Sequence, residues 1–381
     1  MTQYPRLARA AATGAVGLVA GALYLIRRLR LRSEAIAGAA LPGPRGAVGL
    51  DALPAAHVAA LRALHGVDRP PGRFVRGRNG DVTHYILEDA EGAAAAAPRR
   101  VVVCAHGIGT SAEVFAGLVA PLRAAGFSVL RYDFPGHGWS WARDAHAPFS
   151  LDALVAQLDD LLDHVLDGEA AAAPPRYALH ALVGHSTGGL LGVAASEALA
   201  PRRRLARLAL VSPALWANKP LAARAADAFP RTFHAIVALV PGADALVRDA
   251  YLKNCDVAFG RCAVRRTYHF ERAWAAAKAH NARVLDAHPQ ARATIASVSA
   301  HALRADRLPG YRDALARVGR GADADVLLLW GTLDVVVPFA RARDAVALAP
   351  SRIRLHALDG LGHESLFEDP AAIAKALCEW L

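Results

Sequence analysis

The stretch Ala181-Leu182-Val183-Gly184-His185-Ser186-Thr187-Gly188-Gly189-Leu190 leaves this chain few ways to fold. An apolar run from Tyr177 to Val183 reads as a strand, and Leu190, Leu191, Val193, Ala194 and Ala195 read as a helix. Ser186 therefore stands where a strand must turn abruptly into a helix, in the manner of a nucleophile elbow. A serine in so tight a turn holds strained dihedrals, and its backbone comes so close to its neighbours that positions 184 and 188 leave no room for a Cβ. The turn lifts the Ser186 hydroxyl clear of the sheet. It also aims the positive end of the following helix at any negative charge forming beside that hydroxyl.

The rest of the chain supplies strands for such a sheet. Apolar or alternating runs occur at Phe74 to Arg76, Val82 to Leu87, Val101 to Ala105, Ser128 to Tyr132, Tyr177 to Val183, Arg207 to Ser212, Val326 to Trp330 and Ile353 to Leu358. Amphipathic patterns lie between most of the later runs, at Val114 to Ala125, Leu151 to Leu166, Leu190 to Leu199, Phe339 to Leu348 and Ala371 to Trp380. This alternation predicts an α/β fold with an eight-stranded, mostly parallel sheet covered by helices on both faces. Reactive groups should then gather at the C-terminal ends of the strands. They do so in the sequence. The run ending at Ala105 is followed by His106-Gly107-Ile108-Gly109, and the one ending at Tyr132 by Asp133-Phe134-Pro135-Gly136-His137-Gly138-Trp139-Ser140. Trp330 is followed by Gly331-Thr332-Leu333-Asp334, and Leu358 by Asp359-Gly360-Leu361-Gly362-His363-Glu364.

In this order the motifs His106-Gly107, Asp133-x-Pro135-Gly136-His137-Gly138, Gly184-His185-Ser186-Thr187-Gly188-Gly189, Gly331-x-x-Asp334 with Val337-Pro338, and Gly362-His363 resemble the α/β-hydrolase family. The resemblance covers roughly residues 74 to 381. Among the branches of that family the chain is most similar to the esterases and monoacylglycerol-lipase-like hydrolases. The resemblance implies a serine hydrolase acting on an ester, with a lipidic, monoacylglycerol-like ester as the favoured substrate class. Carbon-carbon bond hydrolysis, amide hydrolysis and acyl transfer use the same residues, and a non-catalytic member binding a ligand under its cap is a further reading. A serine at the elbow argues against the haloalkane and epoxide branches, which resemble this family but carry an aspartate there.

The chemistry itself selects the site residues. Ser186 at its free pKa is a weak nucleophile and needs a base, and the imidazole of His363 titrates near neutrality. An acid must hold that imidazole in the right tautomer, and Asp334 follows a separate strand. Asp359, four residues before His363, is the competing acid but sits within a tight turn. The backbone N–H groups of Thr187 and Ile108 are the expected donors to a tetrahedral oxyanion. His185 is expected to pack under the elbow, His106 and His137 to shape their loops, and Asp133 to be a turn residue. Trp139 and Trp141 either line the pocket or cover it. Glu364 stands next to the base. No cofactor and no metal is implied, because the chain supplies nucleophile, base and oxyanion donors itself.

Four further segments complete the organisation. Residues 1–32 carry six arginines and no acid, so they account for +6 of the net charge of +10 and leave a mildly basic body. Arg202 to Arg204 are the densest basic cluster there, without the interleaved aromatics of a nucleic-acid site, so no nucleic-acid partner is expected. The uncharged run from Ala10 to Ile26 would rise about 25 Å as a helix, at the short end of what spans a bilayer core. It reads as a membrane anchor, with the arginine bias placing the body in the cytosol. A cleaved signal ending at Ala35-Ile36-Ala37, a mitochondrial presequence and a buried core helix are the competing readings, disfavoured by the four arginines before that site and by the lack of amphipathicity. Residues 33–72, rich in Pro and Gly, read as a linker, and residues 73–215 with 310–381 as the hydrolase core. Residues 216–309 read as a helical cap insertion, with apolar surface from Phe229, Phe233, Ile236, Val237, Leu239, Val240, Tyr251, Phe259, Tyr268, Phe270 and Trp274. The scattered cysteines Cys104, Cys255, Cys262 and Cys378 indicate neither a zinc site nor a disulfide framework.

Overall fold

The computed structural model describes residues 45–381 except 93–97, 169–175, 217–235, 238–239, 241, 263–267, 304–305 and 322–323, and describes no side chains for 253–262, 268–274 and 277. The apolar run at 10–26 lies outside these residues. Among the described residues no helix is long and apolar enough to cross a membrane.

In chain order the elements are β1 (Gly46–Val48), α1 (Ala55–His65), β2 (Arg73–Arg76), β3 (Val82–Glu88), β4 (Arg99–Ala105), α2 (Ala116–Ala124), β5 (Ser128–Tyr132), α3 (Leu151–Leu162), β6 (Tyr177–His185), α4 (Thr187–Ala198) and β7 (Arg207–Val211). They continue with α5 (Ala243–Cys262), α6 (Tyr268–Ala287), α7 (Ala291–His301), α8 (Leu308–Arg320), β8 (Asp325–Gly331), α9 (Arg341–Ala347), β9 (Ile353–Leu358) and α10 (Pro370–Trp380). The strands form one sheet in the order β1-β2-β3-β5-β4-β6-β7-β8-β9. The pairs from β1 to β5 are antiparallel and all the others parallel.

The central strands read as unbroken apolar runs because both faces are covered. Their residues nevertheless alternate between two cores. Val101, Val103, Leu182, Leu208, Leu210, Leu328 and Trp330 pack under the layer containing α3, α4 and α8. Val102, Cys104, Val183, Ala209, Val211, Leu327 and Leu329 pack under α2 and α10. From β4 the chain steps one way to β5 and then back across to β6. The sheet therefore has its switch point between β4 and β6, the place where open α/β sheets carry their ligands.

Two expectations are corrected. The sheet has nine strands among the described residues, not eight, and the ninth comes from the stretch read as a linker. Gly46–Val48 pairs with Val75 and its neighbours, and α1 ends on Gly66 at φ 68, whose N–H closes on the carbonyl of Arg62. From α1, Val58 and Leu61 bury against Phe74, Val82 and Trp139, and His65 stacks on the Trp139 ring. Residues 46–72 thus belong to the body. Of the arginine cluster, Arg202 and Arg203 are neutralised by Asp159, Asp163 and Asp167 at the end of α3 and in the turn after it.

The helices α5 to α7, in the stretch read as a cap, bury a small core of Val247, Val284, Leu285, Ile295 and Ala296 together with Val237, and Ile108 packs against it. Ile236 and Val240 are exposed. Phe229, Phe233, Leu239 and the side chains of Phe259, Tyr268, Phe270, Trp274, Cys255 and Cys262 lie outside the described set. The base of α7 is stapled to the loop after β5. Gln290 exchanges two hydrogen bonds with the Ala142 backbone, Thr294 donates to the carbonyl of Gly136, and the Ser297 hydroxyl accepts from Phe149 and donates to Ala147.

Candidate active site

Ser186 lies between β6 and α4 with φ 52 and ψ −111, a conformation that a side chain of its handedness rarely adopts. The surroundings hold it there. Its N–H donates to the carbonyl of Val211 at 3.0 Å, and its carbonyl accepts from Gly189 at 3.0 Å and Ala214 at 3.1 Å. The flanking glycines are required by backbone on both sides. A Cβ on Gly184 would meet the carbonyl oxygen of Gly188 at 2.2 Å, and one on Gly188 would meet that of Ala105 at 2.0 Å.

Three side chains from three strand ends meet here. The His363 Nε2 lies 3.1 Å from the Ser186 Oγ, and its Nδ1 lies 2.9 Å from the Asp334 Oδ2. The other oxygen of Asp334 accepts from the N–H groups of Val336 and Val337, both at 2.9 Å, so the buried carboxylate is fixed in rotation. Burial opposes charge on His363, but the Asp334 carboxylate outweighs it, with Glu364 and Glu368 adding to the effect, and the ring is raised to about 9. Asp359 is elsewhere: it accepts from the Thr332 hydroxyl on the exposed side of its turn.

The two expected backbone donors, Thr187 and Ile108, belong to segments that meet at the serine. Thr187 opens α4, so its N–H has no intrahelical acceptor. The preceding residue of the other loop, Gly107, abuts the elbow: a Cβ there would sit 3.2 Å from the Ser186 Cβ. The Gly107 carbonyl accepts from His106 Nδ1 at 2.7 Å and from the Thr110 hydroxyl at 2.9 Å. His106 Nε2 in turn accepts from the N–H of Phe134 at 2.9 Å, which assigns the proton to Nδ1. His137 repeats the pattern, accepting from the N–H of Gly109 and donating to the carbonyl of Pro135. Burial lowers both rings, His106 to about 3, which keeps these tautomers neutral. His185 packs under the elbow as expected and donates to the carbonyl of His363 at 3.0 Å.

Three features exceed the sequence reading. Asp133 does more than make a turn: fully buried, it accepts from His84, from the N–H of Ala112 at 2.7 Å and from that of Trp139 at 3.0 Å. Burial favours its neutral form, yet these donors hold the carboxyl well below the usual range. Trp139 is buried against α1, and Trp141 beside it bridges to Val82. Glu368, without any motif to mark it, accepts from the N–H of Gly362 at 2.6 Å, just before the base. Burial, reinforced by Glu364 and Asp334, raises this carboxyl to about 7. Its position one helical turn beyond Glu364 was the only available signal.

Comparisons with known proteins agree with this architecture. A family model described as serine aminopeptidase, S33, matches residues 96–370. An enol-lactonase from Burkholderia xenovorans superposes with a TM-score of 0.57 at 24% identity, covering 79% of this chain and 97% of its own. An esterase from Exiguobacterium antarcticum gives 0.56 at 17% identity, covering 81% and 98%. A thermophilic esterase from Thermogutta terrifontis gives 0.55 at 19% identity, covering 82% and 94%. No curated protein matches the sequence.

Proposed function

This chain belongs to the serine aminopeptidase S33 family of α/β-hydrolases, and from that premise we propose that it cleaves a carboxylic ester through an acyl-enzyme on Ser186. The observation that carries this reading is the hydrogen-bonded line from Ser186 through His363 to the buried Asp334. Ser186 Oγ attacks the ester carbonyl carbon while its proton passes to His363 Nε2. The carbonyl oxygen becomes an oxyanion, held by the N–H groups of Ile108 and Thr187, each worth about 3 kcal/mol in such sites. Asp334 steadies the imidazolium. When the intermediate collapses, the ester C–O bond breaks and the alcohol leaves with the proton from His363. Water then gives a proton to His363, attacks the acyl carbon and releases the carboxylic acid, and Ser186 recovers its proton.

A lipidic, monoacylglycerol-like ester is the substrate class that fits an anchor at residues 10–26, which would hold the site near a bilayer with the body in the cytosol. The test is hydrolysis of p-nitrophenyl esters of increasing acyl length, with aminoacyl p-nitroanilides alongside, by the native chain and by Ser186→Ala. Ester turnover lost in the variant, with an optimum at long acyl chains, is expected. An optimum at acetate refutes the lipidic class, and turnover of the anilides alone makes the chain a peptidase. No turnover at all, with ligand binding that survives Ser186→Ala, makes it a non-catalytic member.

A further inference from the structure

Ile108, whose N–H is the expected oxyanion donor, sits between two peptide planes, and both planes are clamped. The first plane joins Gly107 to Ile108. Its carbonyl is taken by His106 and Thr110, and since C=O and N–H point opposite ways across a trans peptide, those bonds also set the direction of the Ile108 N–H. The second plane joins Ile108 to Gly109. Its N–H donates to His137 at 3.2 Å, and its carbonyl accepts from the hydroxyl of Tyr251 at 2.9 Å. With both planes fixed, so are the dihedrals of Ile108. Three of the clamping residues belong to the body. Tyr251 alone among them belongs to the cap, on α5.

The contact is more than one bond. Gly109 has φ +76, and a Cβ there would lie 2.4 Å from the Tyr251 hydroxyl oxygen and 2.5 Å from the ring carbon bearing it. The ring end thus lies directly against the loop, where a side chain at 109 would displace it. Ile108 itself packs on the cap cluster beside Tyr251.

We propose that Tyr251 is a positioning residue through which the seating of the cap sets the oxyanion donor of Ile108. The cap then acts on the rate of the chemical step as well as on substrate choice. When α5 rises, the Ile108 carbonyl loses its partner and the second plane keeps only its bond to His137, so the loop holds the donor less firmly against the oxyanion. When substrate draws the cap down, the donor is restored. This inference rests on the acyl-enzyme reading above.

Tyr251→Phe removes the hydroxyl and keeps the ring. A net hydrogen bond of ordinary strength corresponds to a three- to tenfold effect, so kcat should fall by about that factor while KM stays within twofold. Affinity for phenylboronic acid, whose tetrahedral adduct on serine places an oxygen among the oxyanion donors, should fall in parallel. The melting temperature, read on the same samples, should hold. Unchanged kcat and unchanged boronate affinity overturn the proposal, as does a loss confined to KM or to melting temperature. Wild type that hydrolyses no ester, yet binds boronate three- to tenfold more tightly than Tyr251→Phe, leaves the clamp standing and removes the ester reading.

Discussion

Replacing Asp334 by asparagine isolates what the buried carboxylate does to the base. The gap between the ordinary imidazole value of 6.5 and about 9 corresponds to about 3 kcal/mol of preference for the charged ring. At pH 7 only about one His363 in a hundred is then neutral and able to accept the Ser186 proton. The native kcat/KM should rise about tenfold per pH unit from pH 6 and level off near 9. In Asp334→Asn the cost of burial remains while the principal countercharge is gone, leaving only Glu364 and Glu368, so the midpoint should fall well below 9. The plateau rate should fall by about 10⁴-fold, because the amide no longer fixes the tautomer. Stability changes in the same sense. A ring whose folded pKa is raised stabilises the fold fully below its unfolded value of 6.5, and the contribution disappears as the pH climbs to about 9. The native advantage over Asp334→Asn should therefore shrink across that window in urea titrations. The direct assay follows the His363 ring proton by NMR from pH 5 to 10.5 beside the rate profile. A variant midpoint still near 9, or a native rate flat from pH 6 to 10, would refute the electrostatic reasoning.

Other perturbations follow from the same contacts. Glu368→Gln keeps an acceptor for Gly362 but removes a carboxyl that raises His363, so the His363 midpoint, read from the rate profile and by NMR, should fall. Gly188→Ala forces a Cβ to within 2.0 Å of the Ala105 carbonyl oxygen and should cost about 3 kcal/mol or more in urea unfolding. Gly192→Ala meets only leucine side-chain tips at 2.8 and 2.9 Å and gains about 1 kcal/mol of helix propensity, so its stability should stay within about 1 kcal/mol of native. Leu61→Ala should cost about 2 to 5 kcal/mol if α1 is part of the body, and close to nothing if residues 33–72 were a mere spacer.

The parallel strands were legible because burial on both faces leaves long apolar runs, and Ser128–Tyr132 and Ile353–Leu358 begin and end where the sequence put them. Ser186, Asp334 and His363 were legible for a related reason: each follows a strand, so sequence order fixes which end of the sheet it occupies. Gly46–Val48 was not, since three residues at a sheet edge carry no period and lie among prolines and glycines. The network of Asp133 was hidden because its donors come from His84, Ala112 and Trp139, which no spacing links. Tyr251 and Ile108 are 143 positions apart, so only the folded cap brings them together.

The edge position of β1 has a consequence for what could pair with the sheet. With only three residues, Gly46–Val48 offers a second chain a short ladder to extend. Five strand steps separate β1 from β6, which offsets this edge from the serine by about 24 Å across the sheet. A strand added there would lengthen the sheet without approaching Ser186, so association through this edge and chemistry at the elbow are free to occur together.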